Sequence, residues 1–279
     1  MSDLQTPDRN PAQLEAVIGA GGPRIIAIAN QKGGVGKTTT AVNLATAIAA
    51  CQKQVLVVDL DPQGNASTGL GIDARSRKVG SYHVLIGEAT LESAVRPTLV
   101  PGLSIVTSTV DLSGAEIELV DLPQREFRLR QALRPPPCRF DYVLIDCPPS
   151  LGLLNLNAMV AADALLVPMQ CEFYALEGVS HLVRTVERIK KSLNPTLEIQ
   201  GVVLTMFDKR NRLSGLVADD VRGYFGPKVY DTVIPRNVRV SEAPSHGKPV
   251  LIYDLESAGA KAYIHLASEV LKRERGLAA

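Results

Sequence analysis

Residues 25 to 44 place three things in immediate succession: an apolar run from Ile25 to Ala29, a loop reading Gln31-Lys32-Gly33-Gly34-Val35-Gly36-Lys37-Thr38, and a helix start from Thr39 to Leu44. That order constrains the fold more than any other feature of the chain. Glycines at 33, 34 and 36 allow a tight turn whose N–H groups face anionic oxygens, and the helix N-terminus behind them adds partial positive charge. Lys37 and Thr38 complete a phosphate cradle: the ammonium reaches the β- and γ-phosphates and the hydroxyl ligates Mg²⁺. A glycine turn that merely joins a strand to a helix needs none of this chemistry.

Further apolar runs follow at Val55 to Leu60, Leu103 to Val106, Tyr142 to Ile145, Ala164 to Val167, Ile199 to Leu204 and Val229 to Ile234. They alternate with helical periods over 38–50, 151–161, 176–193, 213–225 and 258–273. Near-continuous Val/Ile/Leu strands separated by helices predict one α/β domain: a mostly parallel twisted sheet flanked by helices on both faces, with its ligand at the carboxyl edge. The domain is expected over residues 23–279. Residues 1–22, with Pro7, Pro11, Gly19, Gly21 and Gly22 among polar neighbours, read as a flexible N-terminal arm. The stretch from Leu70 to Pro101 reads as an insertion on the core fold. Residues 111–134 read as helix broken at Pro123, and Pro135-Pro136-Pro137 as an extended link.

The net charge of the 279 residues is +1, so any binding to nucleic acid has to come from a local basic patch. Such a patch is present in the last third, where Lys209, Arg210, Arg212, Arg222, Arg236, Arg239 and Lys248 gather; together they can neutralise backbone phosphates without reading bases. Cys51, Cys138, Cys147 and Cys171 form no C-x-x-C pair, which argues against zinc or iron–sulfur and for reduced thiols. Cys147, close to the cradle, is expected to be sensitive to oxidation. The four histidines are scattered and read as non-catalytic. With no signal-peptide pattern and no apolar run of the ~20 residues that span a bilayer, the expectation is a cytoplasmic protein without membrane insertion.

Two carboxylates, Asp59 and Asp61, follow the second apolar run, and strand alternation predicts that they share a side. They fit either of two roles, capping nearby backbone N–H groups or acting on water. The run Tyr142 to Ile145 ends in Asp146, placed to hold Mg²⁺ through water, and Pro148-Pro149 stiffen a loop suited to sensing the γ-phosphate. Residues 233–249 are too polar and too rich in turn residues for a core, and belong at the ligand edge.

Gln31 stands where such a loop usually begins with glycine, and Lys32 adds a second lysine at its rim. With Lys-Gly-Gly-Val-Gly-Lys-Thr at 32–38, D-L-D-P-Q-G-N at 59–65, D-C-P-P-S at 146–150 and P-R-N-V-R-V-S-E-A-P at 235–244, the chain resembles the deviant Walker A P-loop ATPases of the ParA/Soj chromosome-partition family. The resemblance covers about residues 24–275. It implies that Lys32 crosses a nucleotide-sandwich homodimer, that Lys37 serves the phosphates, and that Asp61 positions and polarises the attacking water. ATP would be held by Lys32, Gly33, Gly34, Val35, Gly36, Lys37, Thr38 and Thr39, with Pro235 and Asn237 along the adenine ring. Mg²⁺ would be held by Thr38 and Asp146. Arg210 and Arg239 would bind double-stranded DNA without sequence preference. The implied protein is a nucleoid-associated partition ATPase whose slow hydrolysis is stimulated by a ParB-like centromere-binding partner.

Two other classes share the cradle. A MinD-like membrane-associated ATPase needs an amphipathic C-terminal helix with bulky apolar residues on one face, and Glu269 to Ala279 offer only Val270, Leu271 and Leu277. An iron-protein-like electron carrier needs paired cysteines at a dimer axis, and only Cys147 is near the cradle. Only 30 residues precede the loop, so a helix-turn-helix reading an operator is not expected.

Overall fold

The structure, a computed structural model, describes residues 22–135, 139–172 and 175–277. The expected arm, but for Gly22, and the Pro136-Pro137 part of the expected link lie outside the described residues. Eight strands are described: β1 Arg24–Ile28, β2 Val55–Asp59, β3 Val95–Pro97, β4 Leu103–Val106, β5 Tyr142–Asp146, β6 Ala164–Gln170, β7 Glu198–Phe207 and β8 Val229–Pro235. They form one sheet in the order β3-β4-β2-β5-β1-β6-β7-β8. Every pairing is parallel except β3 with β4.

The described helices are α1 Lys37–Ala50, α2 Asn65–Gly69, α3 Ser81–Ile86, α4 Leu91–Ala94, α5 Leu112–Glu118, α6 Arg128–Leu133, α7 Leu153–Ala161, α8 Ala175–Ser192, α9 Arg212–Phe225, α10 Val238–Glu242, α11 Val250–Tyr253 and α12 Ala258–Leu277. Strand alternation decides which layer each residue joins. Ile25 and Ala27 of β1, Leu56 and Val58 of β2, and Val143 and Ile145 of β5 pack into one core with α7, α8 and α9. Ile26 and Ile28, Val55 and Val57, and Leu144 pack into the other, beneath α1 and α12. Successive side chains leave opposite faces of a strand, so a sheet covered on both sides needs apolar residues at every position. Helix α1 carries only Ala, Thr, Val, Leu, Ile and Asn after Lys37, and it is buried almost throughout its length.

The chain leaves β1 for β2 on one side and later continues from β6 on the other, so β1 marks the point where the sheet reverses its order. In such sheets ligands settle beyond the carboxyl ends of the strands at that point. The loops after β1, β2, β5, β6, β7 and β8 all open there.

Two expectations of the fold need correction, and a third holds. Strand β2 ends at Asp59, so alternation does not extend to Asp61. The stretch from Leu70 to Pro101 is no add-on: β3 pairs with β4, and Leu85 and Ala94 are fully buried in the main core. The helical stretch from 111 breaks over Leu122–Phe127 and resumes as α6, around the expected Pro123.

Candidate active site

The loop after β1 is pinned from outside itself. Asn30, at its entrance, donates through Nδ2 to Pro168 O at 2.8 Å and accepts from Lys32 N at 3.0 Å. Thr205 near the end of β7 donates to Val35 O at 2.8 Å. Gly34 and Gly36 have φ of 75° and 86°, a region where a side chain strains the backbone, which accounts for glycine at both. Gly33 has neither a positive φ nor a crowded Cβ position. Gly36 caps α1 without a side-chain hydrogen bond, leaving the first-turn N–H groups of Thr38 and Thr39 to a ligand and to the helix dipole's field.

Lys37 is 7% exposed and donates to Lys32 O at 3.0 Å. Burial lowers the pKa of its ammonium, while Asp146, Cys147 and Asp61 act in the opposite direction, so carboxylates surround it as they would the cationic side of a phosphate site. Lys32 turns the other way. Its ammonium forms an ion pair with Glu172 Oε2 at 2.6 Å, and both side chains remain partly exposed.

Asp59 and Asp146 are neighbours in the β2–β5 register and both are fully buried. Asp59 accepts from Ser67 N at 2.8 Å, Ser67 Oγ at 2.7 Å and Asp61 N at 3.2 Å. It is thus the capping carboxylate of the pair, its pKa raised to about 6 by burial against the pull of those donors. Among the described residues, neither oxygen of Asp146 has a hydrogen-bond partner of normal geometry. The Thr38 hydroxyl is near enough to favour the charged form, but burial first and Asp59 second push the pKa of Asp146 well above the carboxylate range. A buried carboxylate without donors is costly unless a cation completes it. The hard oxygens of Asp146 and Thr38, beside Lys37, fit Mg²⁺.

Asp61 lies one residue past Leu60 on the same edge, half-buried, with Oδ1 accepting from Gln63 N at 3.0 Å. Cys147 is fully buried, and burial followed by Asp146 pushes its thiol pKa up. That corrects the expectation of oxidation sensitivity, because the reactive thiolate is suppressed.

The segment after β8 reaches the same edge. Pro235 pairs with Phe207, and Asn237 caps α10 by accepting from Val240 N at 3.2 Å. Asn43 of α1 accepts from Val250 N at 2.7 Å, tying the segment's far end to the helix behind the cradle. Between β6, β7 and this segment lies a polar cleft of about 260 Å³, lined by Gln170, Cys171, Glu172, Met206, Asp208, Asn211, Ser214 and Arg236. Pro235 and Asn237 flank Arg236 outside that lining.

The two candidate DNA-contacting arginines are ion-paired. Arg210, 88% exposed, holds both oxygens of Asp208 at 3.0 Å. Arg239 holds Glu242 at 2.9 Å and Asp254 at 3.3 Å. Asn30, Asn43, Ser67, Thr205 and Glu172 escaped the sequence reading. Only Asn30, at a strand end next to the loop, carried a local signal.

The family model described as AAA domain matches residues 23–199. Chromosome partitioning protein ParA of Caulobacter vibrioides is 62% identical over 254 residues, covering 90% of this chain and 95% of its own. The chain belongs to the ParA/Soj family of ATPases. Another relative within the ParA/Soj family, sporulation initiation inhibitor protein Soj of Bacillus subtilis, is 53% identical over 247 residues, covering 88% and 98%. Among solved structures, cobyrinic acid a,c-diamide synthase of Mycobacterium smegmatis, with bound ADP and magnesium, matches with a TM-score of 0.80 and 36% identity, covering 91% and 96%. The cell division ATPase MinD of Pyrococcus furiosus matches with a TM-score of 0.74 and 30% identity, covering 89% and 98%. Lys32, Lys37, Asp61 and Asp146 therefore sit on a fold shared with other P-loop ATPases.

Proposed function

We propose that residues 23–279 form an ATP- and Mg²⁺-dependent chromosome-partitioning ATPase. The observation that carries this reading is the meeting of Lys37, Thr38, Asp61 and the unpartnered Asp146 at the carboxyl edge of the mostly parallel sheet. Gly33 to Thr39 wrap the phosphates, Lys37 neutralises them, and Thr38 and Asp146 hold the metal. Bound Mg²⁺ supplies charge neutralisation at the β- and γ-phosphates. Asp61 positions and polarises the attacking water. Pro235 and Asn237 bound the adenine.

In the ATP state two subunits close face to face, and Lys32 exchanges Glu172 for the partner's phosphates. The closed dimer binds nucleoid DNA through Arg210 and Arg239, and hydrolysis releases it. A water oriented by one carboxylate lacks further charge stabilisation, so turnover is slow until a ParB-like protein at centromere-like sites contributes more. The carboxylate partners of Arg210 and Arg239 are partly exposed and hold weakly in water, so DNA phosphates can replace them. The protein would act in the cytoplasm, on the nucleoid.

Binding to random-sequence duplex DNA with ATP, ADP or no nucleotide, across a salt series, tests the proposal. ATP-dependent, sequence-independent binding that falls steeply with salt is expected. Arg239→Glu should weaken it and lower the log–log salt slope by about 1 to 2 while sparing ATP-dependent dimerisation. Absence of DNA binding together with ATP-dependent flotation on liposomes would favour the MinD-like reading. Among the described residues, no helix is long and apolar enough to cross a membrane.

The Lys32–Glu172 pair yields a separate expectation. Glu172→Gln frees Lys32, and since partly exposed pairs contribute up to ~1 kcal/mol, the ATP concentration for half-maximal dimerisation should fall by about 2- to 5-fold. Light scattering across an ATP titration measures it. An unchanged or higher midpoint would remove Glu172 as a restraint on dimerisation.

A further inference from the structure

We infer that Arg77 is a positioning residue for hydrolysis, its buried guanidinium fixing the turn that carries Asp61. The inference rests on the role proposed for Asp61 above. Arg77 follows a short 3₁₀ turn, Ala74–Ser76, capped by Asp73, and is only 9% exposed. Its Nε and Nη2 donate to Ile72 O at 3.1 and 2.7 Å, and Nη2 also donates to Thr68 Oγ1 at 2.8 Å. Its Nη1 donates to Gly64 O at 3.1 Å and Ser108 O at 3.3 Å. All these acceptors are neutral, and among the described residues no carboxylate forms an ion pair with it. A buried cation satisfied by carbonyls and one hydroxyl is an expensive way to close a loop. Its planar fork, however, can hold several divergent acceptors at once, which an ammonium cannot.

Those acceptors lead to Asp61. Gly64 N donates to Asp61 O at 2.9 Å, closing a tight turn over residues 61–64. Asp59 fixes the start of that turn through Asp61 N, and Arg77 fixes its end through Gly64 O. Gly64 has φ of 64°, and a Cβ there would lie 2.4 Å from Nη1 of Arg77 and 2.9 Å from Ser108 O. Glycine at 64 is therefore needed both for the turn and for the approach of the guanidinium. The same guanidinium ties residues 64–72 to the loop after β4 through Ser108 O, while Ser108 N donates to Ser67 Oγ, itself a donor to Asp59. Neither end of the Asp61 turn can shift without breaking a hydrogen bond, partly buried at Asp61 N and buried at Gly64 O. Among the described residues Arg77 forms no hydrogen bond or ion pair with those proposed to hold phosphate or metal, so its loss should alter where Asp61 points and leave nucleotide binding alone.

The test compares Arg77→Gln, Arg77→Lys and Thr68→Val in the full chain with ATP, Mg²⁺ and duplex DNA, reading kcat, the Kd of a non-hydrolysable ATP analogue and thermal melting. Arg77→Gln is expected to lower kcat by about 10- to 100-fold with analogue affinity held within about 2-fold, since small misplacements of reacting groups carry penalties of that size. Arg77→Lys should fail to restore kcat. Thr68→Val removes one acceptor of the guanidinium, together with the hydroxyl's own bond to Gly64 O at 3.1 Å, and keeps the cation; it should lower kcat by less, again without changing Kd. Parental kcat in a folded Arg77→Gln protein, full rescue by lysine, or equal losses in kcat and affinity would overturn the inference. If Arg77→Gln does not fold, an unchanged kcat in Thr68→Val overturns it instead. Asp61→Ala in the same assay separates the two readings: turnover there removes the role of Asp61 and this inference with it, whereas an inactive Asp61→Ala beside a normal Arg77→Gln removes only Arg77.

Discussion

Asp61→Ala is expected to retain ATP and to lose turnover by at least ~100-fold, the usual size of a lost general base or water-orienting group. Asp61 lies outside the phosphate loop, and its backbone is held by Asp59 whatever side chain it carries. Its negative charge faces that of the phosphates, so its loss does not weaken the attraction between the cradle and the nucleotide. Removing it should leave Mg²⁺-dependent nucleotide binding equal or tighter while chemistry stops. On the proposed cycle the variant then accumulates as a DNA-bound dimer, because release follows hydrolysis. Phosphate release, retention of labelled ATP and retention on duplex DNA can be measured on one preparation. Normal turnover would take Asp61 out of the mechanism, and lost ATP binding would make it part of the cradle.

Local sequence carried the centre of this site and little of its support. The strand, loop and helix around Lys37 were legible to within a residue, because apolar continuity, glycine and the helix start all point the same way. Asp146 was legible because an apolar strand that ends in a carboxylate at the ligand edge has few other uses. Asp59 remained open between capping and chemistry until its bonds to Ser67 and to the Asp61 amide assigned it the capping role. Strand β3 was missed because three residues ending in proline show no period, and an antiparallel edge pairing has no local mark.

The supporting contacts were hidden for a different reason. Glu172 meets Lys32 across 140 positions and Val250 meets Asn43 across 207, so only the fold brings them together. The arginines after β7 and β8 showed as positive charge. What the sequence did not show is that two of them are already paired with carboxylates, Arg210 with Asp208 two residues away and Arg239 with Glu242 and Asp254. Charge counting sees the sum of such groups, whereas the proposed DNA binding would depend on how easily phosphate displaces the carboxylate partner.

Asp146→Asn is expected to make the metal-free protein more stable and to abolish Mg²⁺-dependent nucleotide binding. Asp146 is a fully buried carboxylate without a normal hydrogen bond, beside Asp59 in register, and at neutral pH its charge opposes folding. An amide of nearly the same volume removes that charge, and replacing an uncompensated buried charge typically stabilises by about 1 to 4 kcal/mol, several degrees in Tm for a domain of this size. The pH dependence has a definite sign. Both carboxylates have folded-state pKa values above the unfolded value of 3.8, Asp59 at about 6 and Asp146 well above 3.8. Between about pH 4 and about pH 6 these two positions therefore hold more protons in the folded chain than in the unfolded one, and they make stability fall as pH rises through that window. In Asp146→Asn one of the two groups is gone, so melting curves across the window should show a shallower fall than the parent. Bound Mg²⁺ and nucleotide should raise the parental Tm at neutral pH and leave that of the variant unmoved. A variant no more stable than its parent, or one that still gains Tm from Mg²⁺ with nucleotide, would mean that Asp146 is not the residue whose charge the metal completes.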